Sequence, residues 1–425
     1  IQNVLNWRMK FHIKNFGIIY AVLLCSVATA QTLHPSFSLQ ELEQMMFANS
    51  KAIQGVSNYV ESARFSVGTA QAVPNPQVEI FNGTRTPRAS TTNIDGSLKT
   101  ISITQDLDMP WHRFPRIDAA KANLGSALAY EAAFKSEMVA KLRIRYFELI
   151  RRLAEERASK EDSKLMEGIR NRIAVRVETG EAARYELFKA DAELLNTQKL
   201  AQSAESRIKQ ARAGLRALVG SQLPEHFSVQ EFGIELNPPP SFESVREHIL
   251  KNNPELLRMR SERQQLDSKL NQEKSLRLPR LALRADQDLD SEYKHKRIGF
   301  AFSLPLWDWR SGPVGEASAR LKQSINELAH QEFSIQQSLE AAFQQYEIAQ
   351  SQMTALETGI VRQAANALRV VEIAYRAGEK GFLEVLDAQR VFRAARNELI
   401  TARFELASAW TEIERLRATV SDNPN

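Results

Sequence analysis

Every seventh residue from Val385 is apolar, giving Val385, Phe392, Leu399, Leu406 and Ile413, and three places after each stands Ala388, Ala395, Ala402, Ala409 or Leu416. An a/d seam held over five heptads belongs to a helix packed lengthwise on other helices. Alanines at one seam position let neighbouring backbones come close. The chain contains the seam twice. At an offset of 198 residues the first position reads Leu187, Leu194, Ala201, Ile208 and Leu215, and the second reads Ala190, Thr197, Ala204, Ala211 and Leu218. The preceding turn repeats as well: Gly180-Glu181 matches Gly378-Glu379, and Glu186 matches Glu384. A match kept at a fixed long period signals structural duplication. A soluble coiled coil would satisfy the seam by itself.

The sequence opens on Ile1, and Met9 reads as the start of a secretory signal. Lys10 and Lys14 form its basic region, Phe16 to Val27 its apolar region, and Ala28-Thr29-Ala30 its cleavage site, with cleavage before Gln31. The apolar run is shorter than the roughly 20 residues of a membrane-spanning helix. Cys25, the one cysteine of the chain, lies inside this segment, and Leu24 before it disfavours lipidation. The remaining chain therefore has no disulfides and no thiolate metal site. Without residues 1–30 the net charge of +5 falls to about +2. Basic helical stretches alternate with glutamate and carry no interleaved aromatics, so nucleic acid is not an expected partner.

In order, Ser38 to Glu41 reads as a capping box opening a helix to about Ala72, stopped by Pro74 and Pro76. Alternation at Val78 and Ile80, a loop from Asn82 to Gly96, and renewed alternation from Leu98 to Leu107 predict a hairpin. A helix of about 60 residues, roughly 90 Å, follows from Arg116 to Glu178, with Pro115 at its first position. The first seam helix then runs to about Val219, and Gly220 to Pro240 is a linker. The order restarts. Ser241 to Leu276 is helical, interrupted at 252–254. Leu281 to Leu289 and Ile298 to Leu306 are strands, Val314 to Ala377 is a second long helix, and Gly378 leads into the second seam. The expected organisation is a signal at 1–30, one repeat at 31–233, a second at 234–420, and a tail at 421–425.

Each strand is about 10 residues long with one apolar face, and Trp111, Trp307 and Trp309 flank the strands, as in outer-membrane barrels. A small sheet capping a helical body fits the same alternation. Four strands cannot close a barrel, since about eight are needed to do so. A membrane reading therefore requires several chains, and three chains give twelve strands.

The duplicated layout, together with Tyr375-Arg376-Ala377-Gly378 followed by Glu384, Asp387, Ala388 and Gln389, resembles the TolC-like outer-membrane efflux factors over nearly the whole mature chain. That resemblance implies a mainly α fold with a transmembrane β-barrel portion: long α-helical hairpins and four strands per protomer, closing as a homotrimeric tube. It implies a passive duct in the outer membrane of a Gram-negative bacterium, in contact with outer-membrane lipid, whose periplasmic helical tunnel meets a periplasmic adaptor and an inner-membrane pump. It also implies acidic rings at the pore entrance from Glu384 and Asp387, closing links among Tyr375, Lys380 and Glu186, and tip turns at Gly180 and Gly378. Ser303, Leu304, Pro305, Leu306, Trp307 and Asp308, followed by Gly312, resemble the heavy-metal branch, whose pumps export divalent cations.

Each of these residues also has a plainer reading. Glu384 and Asp387 lie at i, i+3 near a helix N-terminus, where the dipole favours acids. The glycines fit ordinary helix ends. The histidines outside the signal show no ligand spacing, and no cofactor is expected. No glycine-rich phosphate loop or nucleophile motif points to an enzyme. A periplasmic coiled-coil adaptor or scaffold is the alternative, although an adaptor would carry one hairpin between compact β-rich domains.

Overall fold

The computed structural model describes residues 35–86, 96–230, 238–290 and 292–417, so the signal reading, with Cys25, and the tail lie outside it. The first half contains β1 (Ser36–Phe37), α1 (Leu39–Asn49), α2 (Lys51–Gln71), β2 (Gln77–Arg85), β3 (Gly96–Leu107), α3 (Pro110–Glu178) and α4 (Arg184–Val219). β4 (Ser228–Val229) closes the first half, and the second contains α5 (Phe242–Asn252), α6 (Pro254–Ser275), β5 (Arg280–Leu289), β6 (Lys294–Ser303), α7 (Ser311–Ala355), α8 (Val361–Arg376) and α9 (Phe382–Arg417). A single π turn, Leu356–Ile360, joins α7 to α8.

The capping box forms as expected: Ser38 Oγ accepts from the Glu41 amide at 3.2 Å, and Glu41 Oε2 accepts from the Ser38 amide at 2.7 Å. The helix it opens does not run unbroken to Ala72. Ser50 turns extended (ψ 117°) and separates α1 from α2. Its counterpart Asn253 separates α5 from α6; it caps α6 through bonds from the amides of Glu255 and Leu256, and its side chain donates to the Leu416 carbonyl at 2.9 Å.

α3 starts at Pro110, five residues before the expected first position at Pro115, with Met109 as N-cap. Pro115 lies inside the helix. Asp108 accepts from both Arg113 (2.7 Å) and Arg116 (2.8 Å), which fastens this opening turn despite the missing proline donor. Burial pushes the Asp108 carboxyl up, but the two guanidiniums outweigh it and hold its pKa below the usual range. At 69 residues α3 is about 100 Å long. α7 likewise starts early, at Ser311. Its N-cap Arg310 takes a left-handed conformation (φ 52°), held by Asp308 Oδ1 on its amide and Glu273 on its guanidinium.

The four long strands form one antiparallel sheet in the order β2-β3-β5-β6, so the β3–β5 pairing joins the two hairpins and β2 and β6 are left as edges. β2 extends to Arg85, past the expected loop start at Asn82, because Arg85 pairs with Gly96. β6 runs from Lys294 to Ser303 rather than from Ile298 to Leu306. Its partner begins at Arg280, opposite Ser303, and Pro305 offers no amide donor, so the apolar run outlasts the strand.

All twenty seam residues are buried or half-buried. α3 packs on α4 and α9, and α9 packs on α7 and α8. One core joins α1, α3 and α4 around Leu42, Leu142, Tyr146 and Leu215; its counterpart joins α5, α6, α7 and α9 around Ile249, Leu256, Leu339 and Ile413. The stretch read as a linker is partly core. Leu223 and Phe227 are fully buried, β4 pairs in parallel with β1, and Tyr146 Oη donates to the Gln230 carbonyl.

Candidate functional site

The two helical hairpins end together. Met166, Ile169 and Ile173 of α3, Ala190 of α4, Tyr375 of α8 and Phe382, Val385 and Leu386 of α9 form one apolar cluster at the tip. The turns above it share one geometry. Gly180 (φ 82°) and Gly378 (φ 76°) occupy the left-handed position. The next amide reaches back five residues in each turn, from Glu181 to Arg176 and from Glu379 to Ala374, while each glycine amide bonds three back. These are Schellman ends, which require φ > 0 and therefore favour glycine.

Both helices leaving the tip carry an acid in the first turn, Glu186 in α4 and Glu384 in α9. The Glu384 carboxylate folds back over Gly381, where a Cβ would lie 2.9 Å from Oε2. Glu384 and Asp387 are both exposed, while Val385, Leu386 and Gln389 between and beyond them are buried. The i, i+3 spacing thus puts the two carboxylates together on the free face of α9. Lys380 is exposed and Glu186 half-buried. Tyr375 is 5% exposed, beneath the Arg176 guanidinium at 5.3 Å from its ring centroid, and its hydroxyl is buried without a hydrogen-bond partner among the described residues. Tyr375, Lys380 and Glu186 are therefore brought to one end of the molecule but are not bonded to one another within it.

Ion pairs that were not anticipated tie the hairpins together farther from the tip. Arg396 of α9 binds Asp162 (2.6 Å) and Glu161 (3.0 Å) of α3, and Arg393 binds Glu193 of α4 (3.3 Å). Burial pushes the Asp162 carboxyl up against the opposing pull of Arg396. The sequence signal was present, since each arginine directly follows a seam residue, Ala395 or Phe392, but its acid lies on another helix.

At the other end the sheet has two distinct faces. Direct partners across the ladder share a face. Val78, Ile103, Ala285 and Ile298 stand in one row, with Leu283–Phe300 and Leu281–Phe302 beside it. This face turns polar towards the hairpin ends, at Gln287 and Lys296. The opposite face carries Glu79, Ser102, Thr104, Arg284, Asp286, Asp288 and Arg297, with Arg284–Asp286 at 2.8 Å and Arg297–Asp288 at 2.5 Å. Apolar outside and charged inside is the pattern of a membrane barrel with a wet interior. Trp307 and Trp309, just past β6, are 91% and 62% exposed, where an aromatic girdle would lie.

Among the described residues, no three His, Asp or Glu side chains converge to hold a metal ion. The sequence profile of a family described as outer membrane efflux protein matches residues 42–221 and 245–419. The cobalt-zinc-cadmium resistance protein CzcC of Cupriavidus metallidurans is 23% identical over 417 residues, which cover 94% of this chain and 97% of that protein. The fold superposes on CusC with a TM-score of 0.76 at 15% identity, covering 91% of this chain and 93% of CusC. It superposes on the CmeC outer membrane channel of Campylobacter jejuni with a TM-score of 0.75 at 15% identity, covering 96% and 94%. The match of the efflux protein family to both halves overturns the adaptor alternative. With a match across both halves and a fold of this shape from end to end, the chain belongs to the outer membrane efflux protein family.

Proposed function

We propose that three copies of this chain form the passive exit duct of a tripartite efflux system. The observation that carries this is the open four-stranded sheet, apolar on one face, charged on the other and unpaired at β2 and β6. Free edges seek partners, and three copies joined edge to edge give twelve strands around a polar channel. The helical hairpins continue the duct into the periplasm, where their tips meet an adaptor and an inner-membrane pump. Residues 31–233 and 234–420 are its two repeats. Divalent cations are the favoured cargo, supported by the full-length match to a cobalt-zinc-cadmium resistance protein; small toxic compounds are the second class.

The test is the mass of detergent-extracted protein by light scattering after expression with its signal in a Gram-negative host. A trimer recovered from the outer membrane is the expected result. A monomer or dimer in the periplasm would mean that the strands do not span a membrane.

In this duct Tyr375 and Lys380, with Glu186, close the tip, and Glu384 and Asp387 ring its entrance. Because the Tyr375 hydroxyl bonds nothing among the described residues, Tyr375→Phe breaks no hydrogen bond seen within the protomer. Tyr375→Phe with Lys380→Ser is expected to raise resting conductance in planar bilayers. A double variant no leakier than its parent would remove these residues from the closure.

A further inference from the structure

The charged face of the sheet holds a pair of side chains that a duct for divalent cations should not leave free. Asp288 and His295 are direct partners across the β5–β6 ladder. Opposed residues have their Cβ atoms about 5 Å apart, close enough for a carboxylate and an imidazole to share one cation through bonds of roughly 2 Å. Carboxylate with imidazole is a donor set suited to zinc and its neighbours. Three copies would line the barrel with three such traps.

Both carboxylate oxygens of Asp288 are engaged instead. Its Oδ1 accepts from the Thr100 hydroxyl at 2.8 Å and its Oδ2 from Arg297 Nη2 at 2.5 Å. Arg297 stands on the same face, two residues from His295 and directly opposite Asp286, which is itself held by Arg284. Arginine keeps its charge at every accessible pH and fits a carboxylate. An exposed pair of this kind adds little stability, so stability does not account for it.

We propose that Arg297 is a specificity-determining guard on the barrel wall: by occupying Asp288 it prevents Asp288 and His295 from capturing cations in transit. The inference rests on the duct reading and deepens it. Efflux then depends on acids that are free at the periplasmic entrance and neutralised beside the only histidine described on the strands.

Zinc ion is the probe, added to the extracellular side of trimers in planar bilayers at pH 7. The parent, Arg297→Gln and Arg297→Gln with His295→Ala are compared. Mass by light scattering and single-channel conductance without zinc establish that each variant is assembled. Arg297→Gln is expected to be half-blocked at a zinc concentration at least about tenfold lower than the parent, the order for removing a charge-assisted competitor, and His295→Ala is expected to restore the parent response. A conducting Arg297→Gln channel blocked no more readily than the parent overturns the guard. Equal sensitivity with and without His295 overturns the Asp288–His295 trap, because added negative potential would then suffice. A parent that forms no conducting trimer sinks the duct reading, and the guard with it.

Discussion

Phe300→Arg is expected to abolish outer-membrane assembly, while Ala301→Arg, one residue on, assembles. Phe300 lies opposite Leu283 in the apolar row between Ile298 and Phe302. An arginine at mid-membrane on the lipid face costs about 2–4 kcal/mol per copy, hence roughly 6–12 kcal/mol for a trimer. Ala301 points the other way, opposite Ala282 and next to Arg297 and Gly299 in the charged lining, where an added guanidinium remains in water. Membrane fractionation and the yield of trimer read the difference. Loss of both variants, or survival of both, would reject the face assignment.

Glu384→Ala with Asp387→Ala is expected to lower the cation-over-anion permeability ratio by about fivefold or more, since rings of carboxylates set the sign of a pore's field. Both side chains are exposed and make no ion pair within the described chain, so their loss leaves the apolar cluster beneath them intact. Phe382, Val385 and Leu386 hold the tip with or without them. Reversal potentials in asymmetric salt, measured on trimers of unchanged mass, give the ratio. An unchanged ratio would leave Glu384 as a dipole-favoured acid in the first turn of α9.

The large features were legible because each rests on a periodic signal. The heptad seams survive intact, with none of their residues exposed. Alternation located all four long strands and most of their faces, but Leu98, read in one run with Ile101 and Ile103, pairs with Gly83 and stands on the opposite face, with Ser102. Helix ends were less legible. Pro115 is a plausible first residue of a helix, and only Asp108, bound by Arg113 and Arg116, shows why the helix begins at Pro110. Leu304 and Leu306 continue the alternation of β6 but are not in the strand, because strand length is set by the partner, and β5 begins at Arg280.

The tip divides the same way. Two glycines followed by glutamate predict two matching turns, and both adopt the same Schellman geometry, since φ > 0 is a local demand that only a few residues meet. The burial of Tyr375 under Arg176, and the absence of any bond joining it to Lys380 or Glu186, could not be read along the chain. The same holds for the ties from Arg396 to Asp162 and from Arg393 to Glu193.

By itself, then, the sequence determined the duplicated order, the helical hairpins, most of the strand faces and the tip turns, all of which follow from residue spacing and local backbone preference. Only the tertiary structure decided that β3 pairs with β5, so that two hairpins become one sheet with two free edges, and that Asp288 pairs with Arg297. Those contacts join residues whose spacing along the chain carries no period, and their energies depend on register and burial, which exist only once the chain has closed on itself.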